Sequence, residues 1–208
     1  MDIRISGLSK RFNREWLFSG MDHSFSEGDS YAITGANGSG KSTFLQIIAG
    51  FQLPSEGTVE WFENNIPVPA ETVYQRIAIA APYMELVEEF TLKEMLSFHF
   101  SFKSVRNGYS IQDLIDIGYF TDTVNKPVRN FSSGMKQRLK ILLALYTDVP
   151  LVFLDEPTTN MDEYGTKWYL QQVETLNIPT ILVASNQPHE YTFCNKKLII
   201  SDYKPANK

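Results

Sequence analysis

The segment Gly35-Ala36-Asn37-Gly38-Ser39-Gly40-Lys41-Ser42-Thr43 brings glycines, a lysine and hydroxyls together at spacings suited to polyphosphate chemistry. It fits G-x-x-x-x-G-K-[ST] and lies between a short apolar run, Ser30–Thr34, and the apolar-periodic stretch Leu45–Gly50. Glycines let the backbone curl so that successive N–H groups point at phosphate oxygens, and a helix N-terminus adds its positive dipole end. In such a loop Lys41 reaches the β- and γ-phosphates and the Ser42 hydroxyl ligates Mg²⁺. Without a ligand, the same residues read only as a glycine-rich turn ahead of a helix.

A second constellation closes the run Leu151-Val152-Phe153-Leu154, where Asp155 and Glu156 follow directly and Pro157 ends the strand. Carboxylates at the end of a buried strand cost desolvation unless a cation or strong donors meet them. The carboxyl ends of parallel strands face the ligand crevice, which puts Asp155 beside the phosphate loop as a Mg²⁺ residue, through Ser42 or a water. Glu156 is then the group that polarises an attacking water. Read alone, the pair is equally a solvated acidic turn. Asn130-Phe131-Ser132-Ser133-Gly134-Met135-Lys136-Gln137-Arg138 opens a long amphipathic helix, with Ser132 or Ser133 as its cap and unpaired N–H groups at an exposed end.

These groups need a frame. Strand-length apolar runs at Ser30–Thr34, Arg76–Ala80, Leu151–Leu154, Thr180–Ala184 and Leu198–Ser201 alternate with helical periodicity. Helices are expected at Lys41–Ala49, Leu92–Phe102, Ile111–Ile117, Ser133–Tyr146, Glu163–Leu176 and around His189–Phe193. The first 30 residues and Gly57–Phe62 alternate like antiparallel strands. The pattern predicts one α/β domain over residues 1–208, with a mainly parallel sheet and an antiparallel β layer. Its core covers about 1–83 and 141–208, and a helical subdomain is inserted at about 84–140.

Composition narrows the functions. Apolar residues at 43% and charged residues at 21% are enough for a packed core and exclude a disordered or fibrous chain. Nineteen basic against 24 acidic residues give a net charge of −5, so no nucleic-acid partner is expected. The single cysteine, Cys194, excludes an intrachain disulfide framework, and His23 and His99 stand apart from other metal-ligating types. The richest apolar stretch, Leu139–Leu154, is broken by Lys140, Asp148 and Pro150, short of the ~18 residues a membrane span needs. With no secretory signal at the start, the expected location is cytoplasmic.

On its motifs the chain resembles the ATP-binding-cassette (ABC) ATPase family, a branch of the P-loop NTPases, over essentially its whole length. GANGSGKST is similar to the family's Walker A, LVFLDEP to its Walker B and FSSGMKQR to its LSGGQ signature. Thr159-Asn160-Met161-Asp162 resembles its D-loop, with Asp162 in the aspartate position. Leu53-Pro54-Ser55-Glu56-Gly57-Thr58-Val59 resembles the segment that follows the Walker A helix. Phe12 falls where the family carries an adenine-stacking aromatic, with Trp16 as its rival.

The resemblance implies a head-to-tail dimer, homomeric or with a different cassette, that sandwiches two Mg-ATP. Ser132, Ser133 and Gly134 of one chain then face the γ-phosphate bound by the other, and membrane-spanning permease subunits receive the motion. Two departures stand out. No glutamine follows the strand Ile77–Ala80, where Pro82, Tyr83 or Glu85 takes its place, and Asn186 stands at the position of the family's switch histidine, with His189 nearby. Asn186 donates a hydrogen bond but cannot carry a proton as imidazole does. Ser133 and Met135 also replace the signature's usual glycine and glutamine. The aromatics Phe90, Phe98, Phe100 and Phe102, with Met84 and Met95, are either core of the helical lobe or a groove for a coupling helix. The expected function is therefore the ATP-hydrolysing subunit of an ABC transporter, joined to a permease at the membrane, with slow turnover. The alternative is an ABC-type switch or clamp without a transport role.

Overall fold

The computed structural model describes residues 1–205. Alternating apolar residues in β1 (Asp2–Phe12) and β2 (Glu15–Phe25) put Ile3, Ile5, Leu8, Phe18, Met21 and Phe25 on one buried face. The two strands pair antiparallel across Asn13, whose left-handed φ of 53° tightens the turn. Between the parallel-sheet strand β3 (Ser30–Thr34) and the antiparallel β4 (Glu56–Glu63) lies the helix α1 (Lys41–Ile48). Short β5 (Ile66–Val68) completes the antiparallel sheet in the order β2-β1-β4-β5. Three residues are too few to show periodicity, so β5 carries no signal of its own. Pro67 suits its edge position, because an edge strand tolerates a missing N–H.

The second sheet contains β3, β6 (Ile77–Ala80), β7 (Leu151–Asp155), β8 (Thr180–Ala184) and β9 (Lys196–Ile199), all parallel, in the order β6-β7-β8-β3-β9. β7 and β8 are buried at every residue, which is why they read as continuous apolar runs. α1 packs between the two sheets: Phe44, Leu45, Ile47 and Ile48 share one core with Phe18, Phe25, Ile33, Phe153 and Leu182. Phe44 meets Phe18 edge-on at 5.8 Å, and the Trp61 indole N–H donates to the Ile48 carbonyl at 2.8 Å, tying β4 to the end of α1.

A second core lies on the other face of the parallel sheet and joins α2 (Leu92–Phe102), α3 (Ile111–Ile117), α4 (Ser133–Tyr146) and α5 (Glu163–Thr175). Towards the C-terminus, the final strand and the short helix before it differ from expectation. The final strand is Lys196–Ile199, two residues early, and Ile200–Tyr203 forms a 3-10 turn that buries Ile200. The helix expected around His189–Phe193 is a single 3-10 turn, Pro188–Tyr191, entered through the proline. No helix among the described residues is long and apolar enough to cross a membrane.

The passage from α4 into β7 depends on a buried cation. Arg106 is 4% exposed; its Nε donates to the Leu145 carbonyl at 3.1 Å and its Nη2 to those of Thr147 and Val149 at 2.9 and 2.8 Å. These carbonyls lie in the last turn of α4 and just beyond it, where no intrahelical donor reaches them. We predict that Arg106→Met, which keeps the apolar stem, lowers unfolding free energy by about 3 kcal/mol in urea titrations, since three buried acceptors lose a charged donor. A change under about 0.5 kcal/mol contradicts this role.

Candidate functional site

β3 delivers the chain into the loop at Gly35, and α1 begins at Lys41 behind Gly40. Gly40 has φ 98°, and a Cβ there would stand 3.2 Å from Leu17, so both handedness and space call for glycine. α1 has no side-chain cap and no acidic residue in its first turn. The other helices do have caps: Thr91 bonds the Glu94 N–H, Ser110 the Asp113 N–H, Ser132 the Met135 N–H and Asp162 the Gly165 N–H. The leading N–H groups of α1 are thus left to an anion, with the helix dipole behind them. Lys41, 5% exposed, folds its ammonium across the loop onto the carbonyls of Gly35 (3.0 Å) and Ala36 (3.3 Å). The Ser39 hydroxyl is buried without a partner.

β7 extends one residue beyond the sequence expectation and ends in Asp155, 1% exposed, with neither carboxylate oxygen hydrogen-bonded. Burial pushes its pKa up to about 6; the Ser42 hydroxyl and the Lys41 charge pull it down, while Glu156 and Glu190 push it further up. Ser42 stands close enough to act on the carboxylate but forms no hydrogen bond of ordinary geometry with it. An unpaired buried carboxylate beside a hydroxyl is the donor set of a hard divalent cation, so Asp155 and Ser42 fit Mg²⁺. Glu156 adopts a left-handed φ of 44°, and its N–H donates to the Ala184 carbonyl at 2.9 Å. A glutamate held there costs about 1 kcal/mol or more and is a mark of a functional turn.

A cleft of about 360 Å³ brings together Phe12, Leu17, Asn37, Gly38, Gly40, Lys41, Ser42, Thr43 and Glu156. Phe12, 49% exposed, lines it. Trp16 does not, and lies against the Arg11 guanidinium at 5.2 Å. Asn186, just past β8, reaches the loop directly, its side-chain amide donating to the Asn37 side-chain oxygen. His189 points elsewhere, with Nε2 at 3.3 Å from the Thr158 hydroxyl.

After β6, Ala81-Pro82-Tyr83-Met84 form a turn closed by Met84 N–H on the Ala81 carbonyl at 3.2 Å. Burial pushes the Tyr83 phenol up to about 12, with Gln46 of α1 opposing and the Asp155 charge adding. Glu85 lines a separate cleft with Lys136 and Lys140.

Ser132, Ser133, Gly134 and Asp162 do not join the loop. They line a second cleft of about 280 Å³ with Asn160 and Arg138, and the two clefts share no residue. Gly134 lies so close to the Asn160 carbonyl that a Cβ would stand 2.9 Å from it. Of the helical-lobe aromatics, Phe98 and Phe102 are 45% and 74% exposed, while Met95 is buried. Phe90, Phe98 and Phe102 stack edge to face at 5.4 and 5.2 Å. Beside them, a groove of about 210 Å³ is lined by Ile77, Ile79, Met84, Leu86, Met95 and His99 among others.

Sequence reasoning missed two polar residues that brace the site. Gln137, 4% exposed, donates to the Pro157 carbonyl at 2.9 Å, and Glu190, fully buried, accepts from the Thr158 N–H at 2.7 Å. Neither has a local signal, since each partner lies 20 or more residues away in sequence.

A family model described as ABC transporter matches residues 18–159. The chain is 29% identical over 187 residues to an uncharacterized ABC transporter ATP-binding protein, YcbN, of Bacillus subtilis, covering 88% of this chain and 61% of that one. With the daunorubicin/doxorubicin resistance ATP-binding protein DrrA of Streptomyces peucetius it shares 32% identity over 163 residues, 77% of this chain and 49% of the relative. The chain spans about half to three fifths of the length of these curated relatives. In fold it is similar to a putative ABC transporter ATP-binding protein from Pyrococcus furiosus (TM-score 0.80, 18% identity, 99% of this chain and 100% of that one). It is also similar to a dimeric bacterial ABC transporter cassette (TM-score 0.78, 22% identity, 95% and 94%). With the family model matching more than half of its length across the phosphate loop, the signature helix and β7, the chain belongs to the ABC transporter family, among its ATP-binding-cassette ATPases.

Proposed function

We propose that this chain binds and hydrolyses ATP as the cassette subunit of an ABC transporter, dimerising around Mg-ATP to power separate membrane-spanning subunits. The observation that carries the reading is the uncapped α1 N-terminus beside the unpaired Asp155 carboxylate. An anion with its own bound cation satisfies both at once.

In this reading Phe12 stacks on the adenine, and the N–H groups from Gly35 to Thr43 cradle the phosphates. Lys41 moves its ammonium from the Gly35 and Ala36 carbonyls to the β- and γ-phosphates. Ser42 and Asp155 hold Mg²⁺, which supplies neutralisation of charge on the phosphate oxygens. Glu156 orients and polarises the water that attacks the γ-phosphorus in line, as the bond to the ADP oxygen breaks. Asn186 donates its amide to the γ-phosphate. Because it cannot take up a proton and no glutamine follows β6, turnover is slow.

The two separate clefts support a head-to-tail pairing, homomeric or with a different cassette. Ser132, Ser133 and Gly134 of one chain, with Asp162 close by, complete the phosphate cleft of the other. The exposed Phe98 and Phe102 beside the apolar groove supply the face for a permease helix. The Pro82 turn and Asn186 also favour a second reading, an ATP-dependent switch or clamp with slow hydrolysis and no transport role.

Glu156→Gln should lower kcat at least about 100-fold while ATP still binds, and size-exclusion chromatography of this variant in Mg-ATP should show a dimer. A monomer at saturating ATP contradicts the sandwich.

Asp155 gives a pH signature of the nucleotide-free chain. Its folded pKa of about 6 lies above the ordinary 3.8, so the folded state loses stability as pH rises from about 4 to about 6. Above that the loss is on the order of 3 kcal/mol. His99 runs the other way: burial lowers it to about 4, so its stabilisation is lost as pH falls from 6.5 towards 4. The difference between Asp155→Asn and wild type isolates the carboxylate. The variant should be more stable by about 2–3 kcal/mol at pH 7, converging with wild type near pH 4. A difference that does not change with pH rules out this titration.

A further inference from the structure

Glu190 has no role in the ATP chemistry above, yet it is fully buried, and only one of its carboxylate oxygens is paired. Oε1 accepts from the Thr158 backbone N–H at 2.7 Å and from the Thr158 hydroxyl. Oε2 has no partner. Since the Thr158 hydroxyl proton goes to Glu190, the His189 ring 3.3 Å away donates to that hydroxyl. Burying a half-satisfied carboxylate is costly. A neutral acceptor or a core aliphatic would serve packing alone more cheaply.

What Glu190 joins gives the cost a purpose. Its 3-10 turn begins two residues after Asn186, the residue bonded to Asn37 of the phosphate loop. Thr158 lies two residues after Glu156 and two before Asn160, whose carbonyl abuts Gly134 at the start of the signature helix. The loop between them is otherwise held by Thr159 N–H on the Glu156 carbonyl (3.1 Å), Met161 N–H on the Thr158 carbonyl (3.0 Å) and Gln137 on the Pro157 carbonyl (2.9 Å). The turn itself is fixed from behind by the Tyr169 hydroxyl on the Glu190 carbonyl at 2.8 Å.

We infer that Glu190 is a positioning residue: through Thr158 it locks loop 157–161, and hence Glu156 and the face offered to the partner cassette, in register with the turn that follows Asn186. The inference rests on the ATPase reading for its kinetic consequence, but the locking itself is a property of the chain.

The test compares full-length wild type with Glu190→Ala and Glu190→Gln by steady-state ATPase kinetics and by hydrogen exchange of peptides spanning 157–161. Glu190→Ala should lower kcat about 30-fold with KM within threefold, and speed exchange in 157–161 at least tenfold while α1 and β3 exchange as in wild type. Glu190→Gln, which keeps an acceptor for Thr158, should return both readouts to within threefold of wild type. Unchanged loop exchange in Glu190→Ala overturns the inference. So does faster exchange throughout the core with kcat and KM failing together, which is the mark of a purely structural residue. If wild type neither binds nor hydrolyses ATP, the ATPase reading fails, and loop exchange still decides the role of Glu190.

Discussion

The fold turns on a single unsatisfied electrostatic arrangement: a helix whose first N–H groups have no cap, facing a strand that ends in a carboxylate with no partner. α1 lies between the two sheets, with its apolar residues committed to both, so its N-terminus cannot move away from the parallel sheet. β7, buried from Leu151 to Asp155, is equally fixed and holds Asp155 out of water. The positive end of one element and the negative end of the other are thus held near each other by packing and not by their own attraction. A site prepared in this way costs stability when empty and recovers it when an anion with its cation binds.

The surrounding loops are built to the same end. Glu156 takes a left-handed backbone immediately after the strand, and Gln137 from α4 and Glu190 from the 3-10 turn brace the residues that follow. Asn186 closes the circle by bonding Asn37 in the phosphate loop. The cleft at the phosphate loop therefore stands in contact, through short polar steps, with the second cleft around Gly134. Such contiguity supplies a physical route along which coupling between the two clefts can be measured.

How far the sequence revealed this depended on range. The parallel strands were readable because both their faces are buried, and the phosphate loop because strand, glycines, lysine and helix follow one another without interruption. The Pro188–Tyr191 turn resembles a helix in sequence because a short stretch carries too little periodicity to separate the two, and β5 is too short to register at all. In the sequence Trp16 stands as a rival to Phe12 and His189 as a rival to Asn186, because strand twist and a 3-10 turn, which carry no local signal, decide which side chain faces the cleft. The contacts of Arg106, Gln137 and Glu190 were invisible, as each acquires its partners only from distant segments.

If the α1 N-terminus and Asp155 together form one nucleotide site, calorimetric titration of ATP into the full chain, with and without Mg²⁺ and beside Lys41→Ala, will show it. One ATP should bind per chain, more tightly with Mg²⁺, and Lys41→Ala should lower the affinity about tenfold or more through loss of a charge-assisted contact. ATP binding that is indifferent to both Mg²⁺ and Lys41, or no binding by the wild-type chain, would contradict it.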